Sequence, residues 1–230
     1  MAYFGLLVPR PSPWLVFLLL SAEDLGLALL ASLGAMVLGT ALGAVAGYLG
    51  GTVDDILMRA SDFVLVLPTM YVALALRSVM PLVLTPGTVF LLLLGIFAVV
   101  GAPFFSRGVR AVVRTERTLD YAVAAASLGA SPSRVLVRHL LPAARGFIAV
   151  ELTLLVPAFI VAEATLSYVG LGFPDPVASW GSMLHEGSSV RAFVDFPWLL
   201  SPALAMFVVV LALNLVLQAR GVPQPVDRPL

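Results

Sequence analysis

The 230-residue chain contains no cysteine and no lysine, and only 11% of its residues are charged. Each shortage excludes something. Without cysteine there is no disulfide, no thiolate metal site and no thiol nucleophile, and redox logic says nothing of the compartment. Without lysine there is no Walker A loop, whose lysine reaches the nucleotide phosphates. All thirteen basic residues are arginine, so this chain does not hydrolyse ATP by that route. The charge shortage weighs most. Soluble domains carry roughly 25% Asp, Glu, Lys and Arg. With less than half that share, 60% apolar residues and a mean hydropathy of +1.05, the chain cannot build a water-facing surface all round. Its main solvent is lipid. Thirteen acids balance thirteen bases to a net charge of zero, so the placement of charge is more informative than its sum.

A crossing helix needs about 20 mainly apolar residues, and five stretches approach that length. The first, Leu25 to Leu49, is uncharged and follows Ser21, Glu23 and Asp24, with Ser21 as the expected cap; Gly50 and Gly51 end it. The second, Ile56 to Leu76, carries Arg59, Asp62 and a central Pro68. The third, Thr88 to Phe105, is uncharged, with Pro103 expected to kink or fray its end. The fourth, Gly146 to Leu171, holds Pro157, Glu151 and Glu163, and the fifth runs from Trp198 to Ala219. Pro9, Pro11 and Pro13 leave only Trp14 to Leu20 as an apolar run before the first span. That start reads as an interfacial elbow, against a distorted sixth crossing or an uncleaved signal-like segment. The expected fold is an all-α polytopic transmembrane bundle of about five spans. Its parts are an elbow over 1–24, a membrane domain over 25–219 and a tail over 220–230.

Arginine sets the orientation, because cytoplasmic loops keep the excess of positive charge. Between the third and fourth spans, residues 106–145 hold seven arginines, at 107, 110, 114, 117, 134, 138 and 145, against Glu116 and Asp120. Arg59, Arg220 and Arg228 fall on the same side, and only Arg10, Arg77 and Arg191 on the other. This loop and the C-terminus are therefore expected in the cytoplasm.

A basic loop often does no more than fix topology beside anionic headgroups, but this one has internal order. Leu119 to Leu128 is rich in helix formers, with Asp120 in its first turn and Gly129 placed to end it in the left-handed conformation. Ser131 is then positioned to cap a second helix, with Pro132 at its first position, running to about Leu141. Arg134 and Arg138 share one face of that helix. Alanines at 122, 124, 125 and 126 keep the first helix slim enough for another protein's surface to approach its backbone.

The run from Asp120 to Ser131, followed by Arg-His-Leu-Leu-Pro ending at Pro142, resembles the EAA loop of permease subunits of ABC importers, most nearly the dipeptide, oligopeptide and nickel branch. Ala46 to Gly51 with Asp54 and Asp55, Asp62 with Pro68, Ala162 to Gly172, and Pro174 to Leu184 agree with it. The resemblance implies a coupling helix that seats in a cleft of an ATPase subunit, with Asp120, Tyr121, Ala124, Ala125, Gly129, Ala130, Ser131, Arg134 and Arg138 as docking positions. It implies a second similar permease, two ATP-binding subunits and an extracytoplasmic substrate-binding protein as partners, in a bacterial or archaeal cytoplasmic membrane. ATP and magnesium would be held by the partners, with no cofactor on this chain. Two features depart from the family. Val123 stands where the glutamate of the motif is expected, and such permeases usually have a further span before the one at Leu25.

Ala31, Ala35, Gly39, Gly43 and Gly47 recur every four residues, a small-residue ridge that admits another helix closely. The partner helix is either in this chain or in another subunit. Glu151 and Glu163 are about 18 Å apart along a helix. Ionisable residues within spans usually face a protein interior or an aqueous path, so Glu163, Glu151 and Asp62 are candidates for a translocation path. Alternatively, Glu163 is a carboxyl hydrogen-bonded between helices, and Asp62 pairs with Arg59. His139 and His185 fall on opposite sides and share no metal. The segment from Phe173 to Pro197, with Trp180 and Trp198 as interface anchors, is long enough to cap the outer side and meet a delivery protein. A secondary transporter fits the composition as well but would not need the docking loop. An intramembrane enzyme would need a catalytic constellation that no HExxH or GxSxG motif supplies.

Overall fold

A backbone surrounded by hydrocarbon must satisfy its own N–H and C=O groups, which restricts spanning structures to helices and closed barrels. Helix is the only regular structure among the described residues. The computed structural model describes residues 13–66, 69–79, 81, 84–174, 177, 179–189 and 201–219. In chain order the helices are α1 (Pro13–Leu49), α2 (Gly51–Val66), α3 (Thr69–Val79), α4 (Pro86–Glu116), α5 (Asp120–Ser127), α6 (Pro132–Val135), α7 (Arg145–Tyr168), α8 (Trp180–Gly187) and α9 (Ser201–Ala219). A π segment, Leu136–Leu140, and a 3-10 turn, Leu141–Ala144, join α6 to α7. Among the described residues three stretches are long and apolar enough to cross a membrane: Glu23–Leu49, Pro86–Glu116 and Pro132–Tyr168. A shorter apolar helix covers Ser201–Val216. The second expected span is divided between α2, of 16 residues, and α3, of 11. The Pro68 expected at its centre lies outside the described residues.

The small-residue ridge finds its partner inside the chain. A Cβ on Gly39 would collide with the Ala102 carbonyl oxygen, and one on Gly43 with that of Ser106. One on Gly47 would lie 2.8 Å from the Arg110 carbonyl oxygen, and one on Gly34 3.0 Å from the Ala98 Cβ. The contacts advance together along both helices, so α1 and α4 run parallel with their backbones nearly touching. Lipid removes most of the hydrophobic incentive for helices to associate, leaving close packing to hold them. α7 runs the other way. Gly101 faces Leu155 and Phe159, Gly108 faces Phe147, and Phe97 stacks on Phe159 with ring centroids 5.0 Å apart. The connection carrying α5 and α6 therefore lies at one end of the bundle and α8 at the other.

Several sequence expectations change. Ser21 is not a cap, because α1 is already helical at Pro13 and passes through it. Residues 13–24 of the expected elbow are thus continuous with the first span, and 1–12 lie outside the described residues. The third span does not stop at Phe105. Phe105, Val109 and Val113 keep a helical period of fully buried side chains, so α4 continues to Glu116 with Pro103 in its interior. About the first quarter of the expected 106–145 loop is therefore helix. Trp180, expected at an interface, is 1% exposed and belongs to the main core. Trp198 and the 220–230 tail lie outside the described residues.

Candidate docking surface

The segment after α4 forms as its local sequence requires. α5 covers Asp120–Ser127 with Asp120 in its first turn, and Gly129 takes φ +84°, where only glycine is unstrained. The Ala130 N–H donates to the Ala125 carbonyl at 3.1 Å, and the Gly129 N–H to that of Ala126 at 3.0 Å. This is the paired closure of a Schellman motif. Pro132 then opens α6, with Ser131 at the cap position. The expected side-chain cap is not formed; the Ser131 hydroxyl lies 3.4 Å from that of Ser133 instead. The second loop helix is also less regular than expected. Pro142 offers no N–H to a regular α ladder and clashes with the preceding turn. The backbone widens to a π turn over Leu136–Leu140 and tightens to 3-10 at Leu141–Ala144.

One face of this unit is anchored. Ala122, Val135, Leu140 and Ala144 are buried with Val109 and Val113 of α4 and Ala44 of α1 in a second core cluster. The Tyr121 hydroxyl donates to the Glu116 carboxylate at the end of α4. Donation to a carboxylate stabilises the neutral phenol and holds it up to about pKa 12. The other face is bare. Asp120, Tyr121, Val123, Ala124, Gly129, Ser131, Arg134 and Arg138 are exposed, while Ala125 and Ala130 are half-buried. Leu128 is 89% exposed and Val123 53%, large apolar side chains at the tip of a unit otherwise fixed to the core. Arg134 and Arg138 make no salt bridge among the described residues.

The base of the unit is tied by arginines. Arg110 grips Asp54 with two parallel donors, Nε to Oδ1 and Nη2 to Oδ2, the latter at 2.5 Å. Arg114 approaches the same carboxylate at 3.7 Å. Arg110 holds the Asp54 carboxyl below the usual carboxylate range. Arg117 donates to the Tyr48 carbonyl at the end of α1, just before Gly50 and Gly51 turn the chain with φ +67° and +57°. Asp62 pairs not with Arg59 but with Arg107 at 2.7 Å, because α4 continues past Phe105 and brings that arginine alongside α2.

The three acids do not form one site. Asp62 is engaged with Arg107 on a half-exposed flank. Glu151 is partly buried on α7. Glu163 is fully enclosed and accepts the Ser167 hydroxyl at 2.5 Å, so it presents no surface to a path in this conformation. None of them lines the apolar cleft of about 550 Å³ between α7, α8 and α9. Asp24 is the acid that sequence reasoning missed beside Glu163. Its partner Trp180 is 156 positions away, and no local pattern signals that pairing.

Residues 39–219 match the family model described as the binding-protein-dependent transport system inner membrane component. The chain is 36% identical over 163 residues to the oligopeptide transport system permease protein OppC of Bacillus subtilis, covering 71% of this chain and 51% of that protein. It is 34% identical over 180 residues to the glutathione transport system permease protein GsiD of Pectobacterium atrosepticum, covering 78% and 58%. A putative peptide permease of Brucella ovis is 35% identical over 195 residues, covering 83% and 63%. The chain thus spans about half to two thirds of the length of these relatives.

Proposed function

Because the chain belongs to the family of inner membrane components of binding-protein-dependent transport systems, we propose that it is a permease subunit of an ATP-driven importer whose cargo is a peptide or related small solute. The α5–Gly129–α6 unit takes up a partner ATPase. A second permease completes the path, a substrate-binding protein delivers the cargo, and two ATP-binding subunits hold ATP and magnesium. The α5 end of the bundle faces the cytoplasm, in line with its arginines.

One observation carries this reading. The unit is rigid on its inner side, through Ala122, Glu116 and the second core cluster, yet offers bare alanine backbone and the apolar Val123 and Leu128 on its outer side. Exposed apolar groups on a fixed, protruding element suit insertion into another protein's groove. Val123 makes the contact at that position apolar where a glutamate would make it polar. The peptide cargo follows the relatives, which are named for oligopeptide, glutathione and peptide transport.

The test uses Ala124→Trp, because Ala124 is exposed and a larger side chain there points away from the second core cluster that anchors the unit. The expected result is a membrane-inserted permease that no longer co-purifies with the ATPase and no longer supports cargo-stimulated hydrolysis. Undiminished co-purification and stimulation would sink the docking assignment.

A further inference from the structure

In space, the seven arginines of residues 106–145 divide into two groups. Four are engaged within the chain: Arg107 with Asp62, Arg110 and Arg114 with Asp54, and Arg117 with the Tyr48 carbonyl. Arg134, Arg138 and Arg145 are exposed and make no salt bridge among the described residues. No acid lies near them in sequence either, since none occurs from Tyr121 to Val150.

The packing of α7 on α4 gives the depth of these three. Gly108 meets the Phe147 ring, so Arg145, two residues before Phe147, is level with Arg107 and Arg110 and their carboxylates. Away from that level α4 is uncharged from Pro86 to Ser106, and α7 from Gly146 to Val150. The apolar part of the bundle therefore ends at Arg145. A headgroup layer on each side of a bilayer is roughly 5–8 Å deep. Arg138, seven residues back, lies at most about 10 Å further out at the helical rise, and a long arginine stem returns its guanidinium to the layer. Arg134 is about 16 Å out by the same rise and stays with the α5–Gly129–α6 unit.

A spacing of seven residues puts Arg138 and Arg145 on one face, two turns apart. Ala143 is exposed between them, and Val137 beside Arg138 is 63% exposed. Two unpaired guanidinium forks next to an apolar strip match a phosphate attached to an acyl chain. Another protein would have to push into the headgroups to meet Arg145, whereas a lipid is already there.

We propose that Arg138 and Arg145 hold the headgroup of an anionic phospholipid against the joint between α6 and α7. Arg138, which the family resemblance places among the docking positions, is thereby assigned to lipid. The site stands on the membrane placement of α7 and is independent of the docking assignment at α5.

The chain has no cysteine, so a single Ala143→Cys carries a bimane fluorophore between the two arginines. The whole transporter is placed in nanodiscs of equal phosphatidylglycerol and phosphatidylcholine, with bromine on the acyl chains of one lipid or of the other. The ratio of the two quenching strengths reports the local preference, and because both leaflets are alike, orientation does not enter. The expected ratio is about fivefold or more in favour of phosphatidylglycerol at low salt, falling toward one at about 1 M salt. Arg145→Gln is expected to lower it at least about twofold while the ATPase still co-purifies, and Arg138→Gln with Arg145→Gln to bring it to about one. Lysine at both positions is expected to retain most of the preference, and Arg134→Gln all of it. A wild-type ratio near one, a preference that survives the double glutamine variant, or one abolished by Arg134→Gln would each overturn the proposal. Loss of the ATPase from Arg145→Gln with an unchanged ratio would also overturn it, giving that face to the ATPase. The salt series on the otherwise unaltered chain decides the matter even if the double variant fails to insert.

Discussion

Gly43 and Asp54 fasten α4 to its neighbours by opposite means, Gly43 on α1 by lacking a side chain and Asp54 on α2 by its charge. Gly43→Leu forces its new Cβ against the Ser106 backbone, which cannot move without shifting α4. The expected loss is at least about 1–3 kcal/mol, read from thermal unfolding in detergent, with Gly26→Leu as a control because nothing lies within 4 Å of a Cβ there. Asp54 is held below the ordinary carboxylate range by Arg110. Its contribution is therefore present above the unfolded carboxylate value and is lost as pH falls through the lower folded one. Wild type is expected to be more stable than Asp54→Asn at neutral pH, with the two converging in strong acid; a gap that persists there would show that Arg110 is not the cause. The ridge glycines could be read from their spacing alone, because close approach demands small residues at every fourth position. The role of Asp54 could not, since Arg110 is 56 positions away. Asp62 shows the same limit: Arg59 was the near partner in sequence, and Arg107 is the partner in space.

For single elements, local chemistry explains what sequence reading reached and what it missed. α5 and its closure at Gly129 depend only on neighbours within one turn, and they form as expected. α4 was cut short because arginines at 107, 110, 114 and 117 look like loop composition, whereas they line the flank of a helix whose other side stays buried. The π turn before Pro142 arises from competition between that proline and the packing of Leu140 and Ala144, which no propensity encodes. The link from α5 to α4 is testable by titration. Removing its acceptor with Glu116→Ala is expected to return the Tyr121 phenol from about 12 toward its ordinary value of about 10, seen as tyrosinate absorbance appearing at lower pH. An unchanged titration would show that the Glu116 bond does not hold the phenol.

For the whole molecule, the parallel course of α1 and α4 and the opposite course of α7 put α5 and α8 at opposite ends. Single cysteines replacing Ser131 and Ser188 are expected to label from opposite sides of the membrane with an impermeant reagent. Labelling from one side would refute the span assignment. Class and family were open to sequence reading because lipid imposes a composition and the α5–Gly129–α6 unit is local. The bond from the Trp180 N–H to Asp24 was not, because it joins helices that meet only when the bundle closes.

The contrast between the glycine-sutured α1–α4 pair and the irregular stretch from Leu136 to Ala144 has a mechanical consequence. The pair, with Arg117 fastening the end nearest α5 to the Tyr48 carbonyl, behaves as a stiff two-ply beam, whereas widened and tightened turns in series make a compliant joint. A thrust delivered at α5 would thus be shared between a beam that resists it and a joint that yields, so that α7 swivels while α1 and α4 hold their alignment.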